Sequence, residues 1–135
     1  MTSPRLFCDT GVLIRYFTGD DPPRALAAAE LIDSDAVLVI STAVLLESIH
    51  VLRGDYGLSN PIIGQFLMEL LMRSNVHLSD ADQAETVAAL QWSLRSSARR
   101  IPDAVIAAAA HRAGCSHIVT FDEAFASPSV PVRLL

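Results

Sequence analysis

Short runs of β-branched and other apolar residues alternate along the chain with longer stretches of helical periodicity. Residues 5–9, 37–40, 76–78, 117–121 and 130–133 read as five strands. Between them, 12–17, 24–32, 43–53, 61–73, 81–96 and 103–113 carry helical patterns. The punctuation agrees. Pro22-Pro23 precedes the second helix, Ser59-Asn60-Pro61 supplies a cap followed by a first-turn proline, and Gly114 closes the alanine-rich helix. Strands 37–40 and 117–121 are almost wholly apolar, as expected of strands covered on both faces. The alternation predicts an α/β fold: one domain over 1–135, with a central, mostly parallel five-stranded sheet and helices on both faces. The helical pair over 43–73 is read as an elaboration of that domain. Its Phe66, Leu67, Leu70, Leu71 and Met72 read first as core, and the surplus over what one small sheet can cover makes the pair the expected interface.

Composition narrows the classes. The 135 residues hold ten Arg, no Lys and fifteen acids, for a net charge of -5, so a broad basic coat for nucleic acid is excluded. Half the chain is hydrophobic (51%), enough for a core without staples. Cys8 and Cys115 lie far apart with no CxxC spacing, which disfavours a disulfide framework or zinc knuckle and suits a reducing cytoplasm. The longest uncharged apolar run, 36–46, falls short of the roughly 20 residues of a membrane span, and the start lacks the pattern of a secretory signal. No GxGxxG or P-loop points to a nucleotide cofactor.

Four acids stand out, two of them beyond the carboxyl ends of strands, where α/β sheets carry their sites. Asp9 ends the first strand, Asp122 follows the fourth, Asp103 opens a helix after Pro102, and Glu47 lies in the helix after the second strand. Taken singly, Asp9, Asp103 and Asp122 have ordinary readings as caps, first-turn acids or turn residues. Glu47 is expected to be partly buried, because Ala43–Leu52 is apolar on nearly every face. Taken together, they repel: two charges about 4 Å apart cost on the order of 4 kcal/mol at an effective dielectric of 20. With no Lys to neutralise them, a hard divalent cation is the economical partner, and oxygen ligands suit Mg²⁺ or Mn²⁺. Such a site can hydrolyse a phosphodiester.

Four segments carry a resemblance: FCDTGVLIRYFTGDDP (7–22), STAVLLESIHVL (41–52), PDAVIAAAAHRAG (102–114) and IVTFDEAF (118–125). In their order and spacing the chain resembles a PIN domain, in particular the VapC-type ribonuclease toxins of bacterial toxin–antitoxin pairs. The resemblance implies a parallel five-stranded sheet, Mg²⁺ or Mn²⁺ dependence and cleavage of RNA. It also implies homodimers and inhibition by a cognate antitoxin whose tail enters the acidic cleft. By position Asp9, Glu47, Asp103 and Asp122 match the catalytic acids, with Asp9, Asp103 and Asp122 as metal ligands and Glu47 orienting the attacking water. Thr120 points to the same side of an extended strand as Asp122, and Thr10 and Thr120 are the expected supporting contacts. Gly11 stands where the family often has Asn or Ser. Whether Asp122 or Glu123 faces the metal is left open, as is the number of ions.

Arg95, Arg99 and Arg100, upstream of Asp103, have the forked donors that suit substrate phosphate, with a solvated helix end as the plain alternative. Arg15 and Arg53 are weaker candidates, and Trp92 reads as core or dimer interface. Several motifs mislead. Asp9-Thr10-Gly11 matches the aspartic-protease signature, but those enzymes are all-β. Glu47-Ser-Ile-His50 has the spacing of di-iron bundles without the second copy they need, so His50 is expected to pack. A receiver domain needs a lysine that the chain lacks. Two rivals remain: a PIN-like binding module that has lost catalysis, and a nuclease for DNA or structured nucleic acid. With the four acids set aside, eleven face ten Arg, so the acidic excess is mostly the site itself.

Overall fold

A computed structural model describes residues 3–135. Five strands, β1 (Arg5–Cys8), β2 (Val37–Ile40), β3 (Val76–Leu78), β4 (His117–Thr120) and β5 (Val132–Leu134), form one sheet in the order β3-β2-β1-β4-β5. Every pairing is parallel, with Phe7 opposite both Val39 and Ile118. Six helices connect them: α1 (Thr10–Thr18), α2 (Pro22–Ile32), α3 (Thr42–Gly54), α4 (Asn60–Leu71), α5 (Gln83–Ser93) and α6 (Ile101–Arg112). No helix among the described residues is long and apolar enough to cross a membrane.

From β1 the chain steps outwards through β2 to β3, then crosses back to β4 and β5. α1 packs on α2 and α3, and α3 on α4, while α5 pairs with α6, the grouping that right-handed crossovers on opposite faces produce. The order reverses between β1 and β4, and the crevice beyond their carboxyl ends is where such sheets bind ligands. The three inner strands explain why that junction is firm. Leu6, Phe7, Cys8, Leu38, Val39, Ile40, Ile118 and Val119 are all buried. At the β3 edge only Val76 is buried, and His77 and Leu78 face solvent. Cys8 and Cys115 are buried and free, and burial pushes their thiols up to about 12 and about 11.

Helix ends differ from the sequence reading for identifiable reasons. α1 starts at Thr10, two residues early, because Asp9 caps it and Gly11 is tolerated in the open first turn. It ends at Gly19, whose φ of 64° lets its N–H reach the Arg15 carbonyl. α6 likewise starts at Ile101, with Pro102 in the first turn, where a missing N–H costs nothing. α5 stops at Ser93, so Arg95 and Arg99 lie on the connection to α6 and on no helix. The last strand begins at Val132, two residues later than its apolar pattern suggests.

The central and edge strands should respond differently to truncation. Phe7→Ala on β1 should cost about 3–5 kcal/mol, whereas His77→Ala at the exposed edge should stay within about 0.5 kcal/mol. Urea unfolding with an unchanged m-value checks both.

Candidate active site

Asp9 leaves β1 in an extended conformation, and its backbone N–H donates to the Val119 carbonyl (3.0 Å), locking the ends of β1 and β4 together. One carboxylate oxygen accepts the Thr10 N–H (2.8 Å), and the other accepts the Thr120 hydroxyl (2.7 Å). The Thr120 oxygen in turn accepts the Asp122 N–H at 3.0 Å. A single buried hydroxyl therefore ties the acid after β1 to the backbone after β4. Thr10 donates its own hydroxyl to Glu47 Oε2 (2.9 Å), which draws α3 to the same place. Both threonines expected to support the acids do contact them.

Glu47 and His50 are not buried as the sequence suggested. On α3, Val44, Ser48 and Leu52 form the inward row, so Leu46, Glu47 and His50 are exposed. Seven apolar side chains around one helix had hidden which face was inside. Glu47 is thus a rim carboxylate, and solvent softens the cost of its charge. Asp103, in contrast, is only 6% exposed in the first turn of α6. Its Oδ2 accepts the Ala126 N–H (3.3 Å) and the Arg100 guanidinium (Nε, 3.3 Å). Asp122 is half-buried and accepts the Ala124 N–H (2.9 Å) and the same guanidinium. Glu123 is exposed.

The charges follow from these surroundings. Burial raises the Asp9 pKa, against the pull of its bonds from Thr120 and Thr10, and repulsion from Glu47 and Asp103 raises it further. Burial also raises Asp103, although Ala126 and Arg100 oppose it. Asp122 is held below the ordinary carboxylate range by the Arg100 bond, and Arg100 is raised in return.

A cleft of about 590 Å³ opens over Asp9, Thr10, Glu47 and Asp122. It runs between α1 and α3, past Ile14 and Val51, to Arg15, Asp20 and Tyr56. Gly11 is part of its wall, and a side chain there would meet no atom within 4 Å, so the missing Asn or Ser leaves open space. At the far end Asp20 accepts the Tyr56 hydroxyl (2.5 Å), Arg15 (2.8 Å) and the Thr18 hydroxyl (2.9 Å). These bonds pull Asp20 down to about 2, the one from Tyr56 most strongly. Asp20 and Tyr56 escaped the sequence reading, since no spacing links 15, 20 and 56; the sole hint was a basic residue just before a Gly-Asp-Asp turn.

Of the proposed phosphate-binding arginines, Arg100 alone bonds to the acids among the described residues. Arg99 donates to the Trp92 carbonyl (2.9 Å) with its guanidinium 4.4 Å from the indole centroid. Arg95 is exposed, and Arg53 bonds Asn60. Trp92 packs on the small cluster of Ala89, Ala104 and Ala108.

The donor set fits a hard divalent cation in kind. The oxygens are carboxylates, and Asp9 is largely enclosed, repelled by Glu47 and Asp103, and given only hydroxyl and amide donors. Among the described residues no three His, Cys, Asp or Glu side chains gather closely enough to encircle an ion, and Asp103 and Asp122 share Arg100 instead.

The raised Asp9 pKa fixes a sign. The folded chain holds this proton more tightly than the unfolded chain, so stability is lost as pH rises through the raised value. In EDTA at neutral pH, Asp9→Asn should therefore melt above the wild type. The advantage should vanish in acid below the ordinary carboxylate range, where both states are protonated. Circular-dichroism melts across that range check this, and an equal or lower Tm at neutral pH would contradict it.

The PIN domain family model matches residues 6–130. Three solved structures share the fold at low identity. VapC20 of Mycobacterium tuberculosis, described as a sarcin–ricin loop cleaving toxin, is 19% identical with a TM-score of 0.71, over 89% of this chain and 92% of its own. VapBC2 from Rickettsia felis, bound to a DNA fragment from its promoter, is 18% identical with a TM-score of 0.67, over 96% and 98%. FitAcB from Neisseria gonorrhoeae is 19% identical with a TM-score of 0.59, over 94% and 95%. A search by sequence against curated proteins returns no significant match. With a family model spanning nearly its whole length and the sheet order and acids described above, this chain belongs to the PIN domain family.

Proposed function

We propose that the chain is a divalent-metal-dependent endoribonuclease, the toxin of a toxin–antitoxin pair. The carrying observation is Asp9: a largely enclosed carboxylate at the switch point of the sheet, repelled by Glu47 and Asp103 and given no basic partner among the described residues. A binding module has no need to keep such a cluster, whereas metal-assisted hydrolysis requires one. Asp9, Asp103 and Asp122 would hold Mg²⁺ or Mn²⁺, which supplies Lewis acidity at the phosphate and a nucleophile from water at neutral pH.

The rest of the chemistry falls to the chain. Thr120 and the Thr10 N–H fix both oxygens of Asp9. Glu47, steered by the Thr10 hydroxyl and open to solvent, orients the attacking water and accepts its proton. Arg15 at the far end of the cleft can take a flanking phosphate through the donors Asp20 leaves free.

VapC20 is described as a sarcin–ricin loop cleaving toxin, and a VapBC assembly is among the matched structures. These support RNA as substrate and an antitoxin as partner. A homodimer would cover Leu46 on α3, Ile62 and Met68 on α4 and Met72 just past its end, all about half or more exposed, whereas Phe66, Leu67 and Leu70, read from the sequence as part of this surface, are buried in the core. A cytoplasmic location suits two buried free thiols. The second reading, a catalytically degenerate binding module, draws on Arg100, which already neutralises two of the acids, and on the bare wall at Gly11.

RNA cleavage by the antitoxin-free protein, with Mg²⁺, Mn²⁺ or EDTA and with DNA of the same sequence alongside, separates these readings. Asp9→Asn and Asp103→Asn should each lower metal-dependent RNA cleavage about 100-fold or more with an unchanged circular-dichroism spectrum. Full activity in both variants would sink the proposal.

A further inference from the structure

Arg100 occupies an unusual place among the acids. As the N-cap residue of α6 it has an extended backbone, and Pro102 fixes the turn that follows. From there its guanidinium reaches one acid on its own helix and one on another element. Nε and one Nη approach Asp103 Oδ2 (3.3 and 3.2 Å), and that same Nη donates to Asp122 Oδ2. The remaining protein donors to this pair are the backbone N–H groups of Ala126 and Ala124. Two of the four acids therefore share a unit positive charge, while Asp9 and Glu47 have hydroxyl and amide donors only.

We infer that Arg100 is the resident counter-cation of the Asp103–Asp122 pair, and that a divalent cation gains these two carboxylates only by displacing it. The inference rests on the reading that this cleft takes such a cation. Coexistence is disfavoured by charge and distance. An ion about 2.0–2.1 Å from the Oδ2 atom that accepts the guanidinium would lie no more than about 5.5 Å from its nitrogens, so charges of +2 and +1 would face each other across one oxygen. Arg cannot relieve this by losing a proton. Release is feasible because the Arg100 side chain is half exposed and its Asp122 partner is 38% exposed, so solvent screens that pair, while the contacts to the buried Asp103 are long at 3.2 and 3.3 Å. Arg100 is accordingly a positioning residue. It keeps Asp103 and Asp122 at one place in the metal-free protein and sets how tightly the site takes its ion.

The size of the effect follows from occupancy. If the guanidinium holds the pair about nine-tenths of the time, the apparent affinity for metal falls about tenfold below its intrinsic value. The experiment is calorimetric titration of Mn²⁺ into the full-length, EDTA-stripped and dialysed wild type, Arg100→Ala and Arg100→Gln. Both variants should bind Mn²⁺ about tenfold more tightly. In parallel melts, the wild type should exceed both variants without metal, and saturating Mn²⁺ should shrink or reverse that gap. A merely structural arginine lowers Tm under both conditions and leaves the affinity unchanged or weaker, and that result overturns the inference while leaving the metal reading intact. Mn²⁺ binding by none of the three proteins overturns the metal reading and this inference with it. The Gln variant keeps a neutral donor for the carboxylates, so the test stands if the Ala variant folds poorly.

Discussion

Mutual repulsion among carboxylates at one end of a parallel sheet is the constraint around which the rest of this molecule is arranged. Asp9 and Asp122 follow β1 and β4 into the crevice where strand order reverses, Glu47 overlooks it from α3, and Asp103 in the first turn of α6 is near enough to repel Asp9 without lining the cleft. The chain has no lysine, so the charges are met by other means. Threonine hydroxyls and backbone amides bond the carboxylates without cancelling their charge, and a single guanidinium covers two of them. What is left uncancelled sits on Asp9, whose two oxygens are both bonded by neutral donors, and on Glu47 at the rim. The scaffold accepts that strain because β1 and β4, which carry Asp9 and Asp122, are among the best-buried strands of the sheet. Stability is concentrated where the site opposes it, a common arrangement for catalytic centres.

The elements were legible because punctuation and period agreed: apolar strand runs, prolines in first turns and glycine at helix ends each have a local cause. The acids were legible for the same reason, since three of them stand at element ends where an α/β sheet exposes its ligands. What escaped the sequence depends on tertiary choice. Glu47 lies on a helix with apolar residues all round, where periodicity cannot tell inside from outside until Val44, Ser48 and Leu52 find the core. Arg100 has phosphate-binding chemistry and carboxylate-binding chemistry alike, and only the approach of the β4 end, twenty-two residues away, decides between them. Arg99 turned instead to Trp92, its neighbour in the sequence. The Arg15–Asp20–Tyr56 cluster needs the loop after α3 to fold back on α1, which no short-range pattern announces.

The cleft is correspondingly two-ended. One end is a set of carboxylates short of positive charge, and the other is a network in which Asp20 is already satisfied by three donors. Ile14 and Val51 give the cleft wall apolar surface, and Asp55, next to Tyr56 in the sequence, adds a further carboxylate.

Cys8, one residue before Asp9 on the central strand, gives the site a silent neighbour. Its thiol is wholly enclosed and its pKa is pushed up to about 12, so at neutral pH it holds almost no thiolate and alkylating reagents find nothing to attack. Should β1 and β4 separate, that sulfur meets water and regains ordinary reactivity. The chain thus carries, beside its most strained carboxylate, a native chemical clock whose rate of labelling records how often the centre of the sheet comes open.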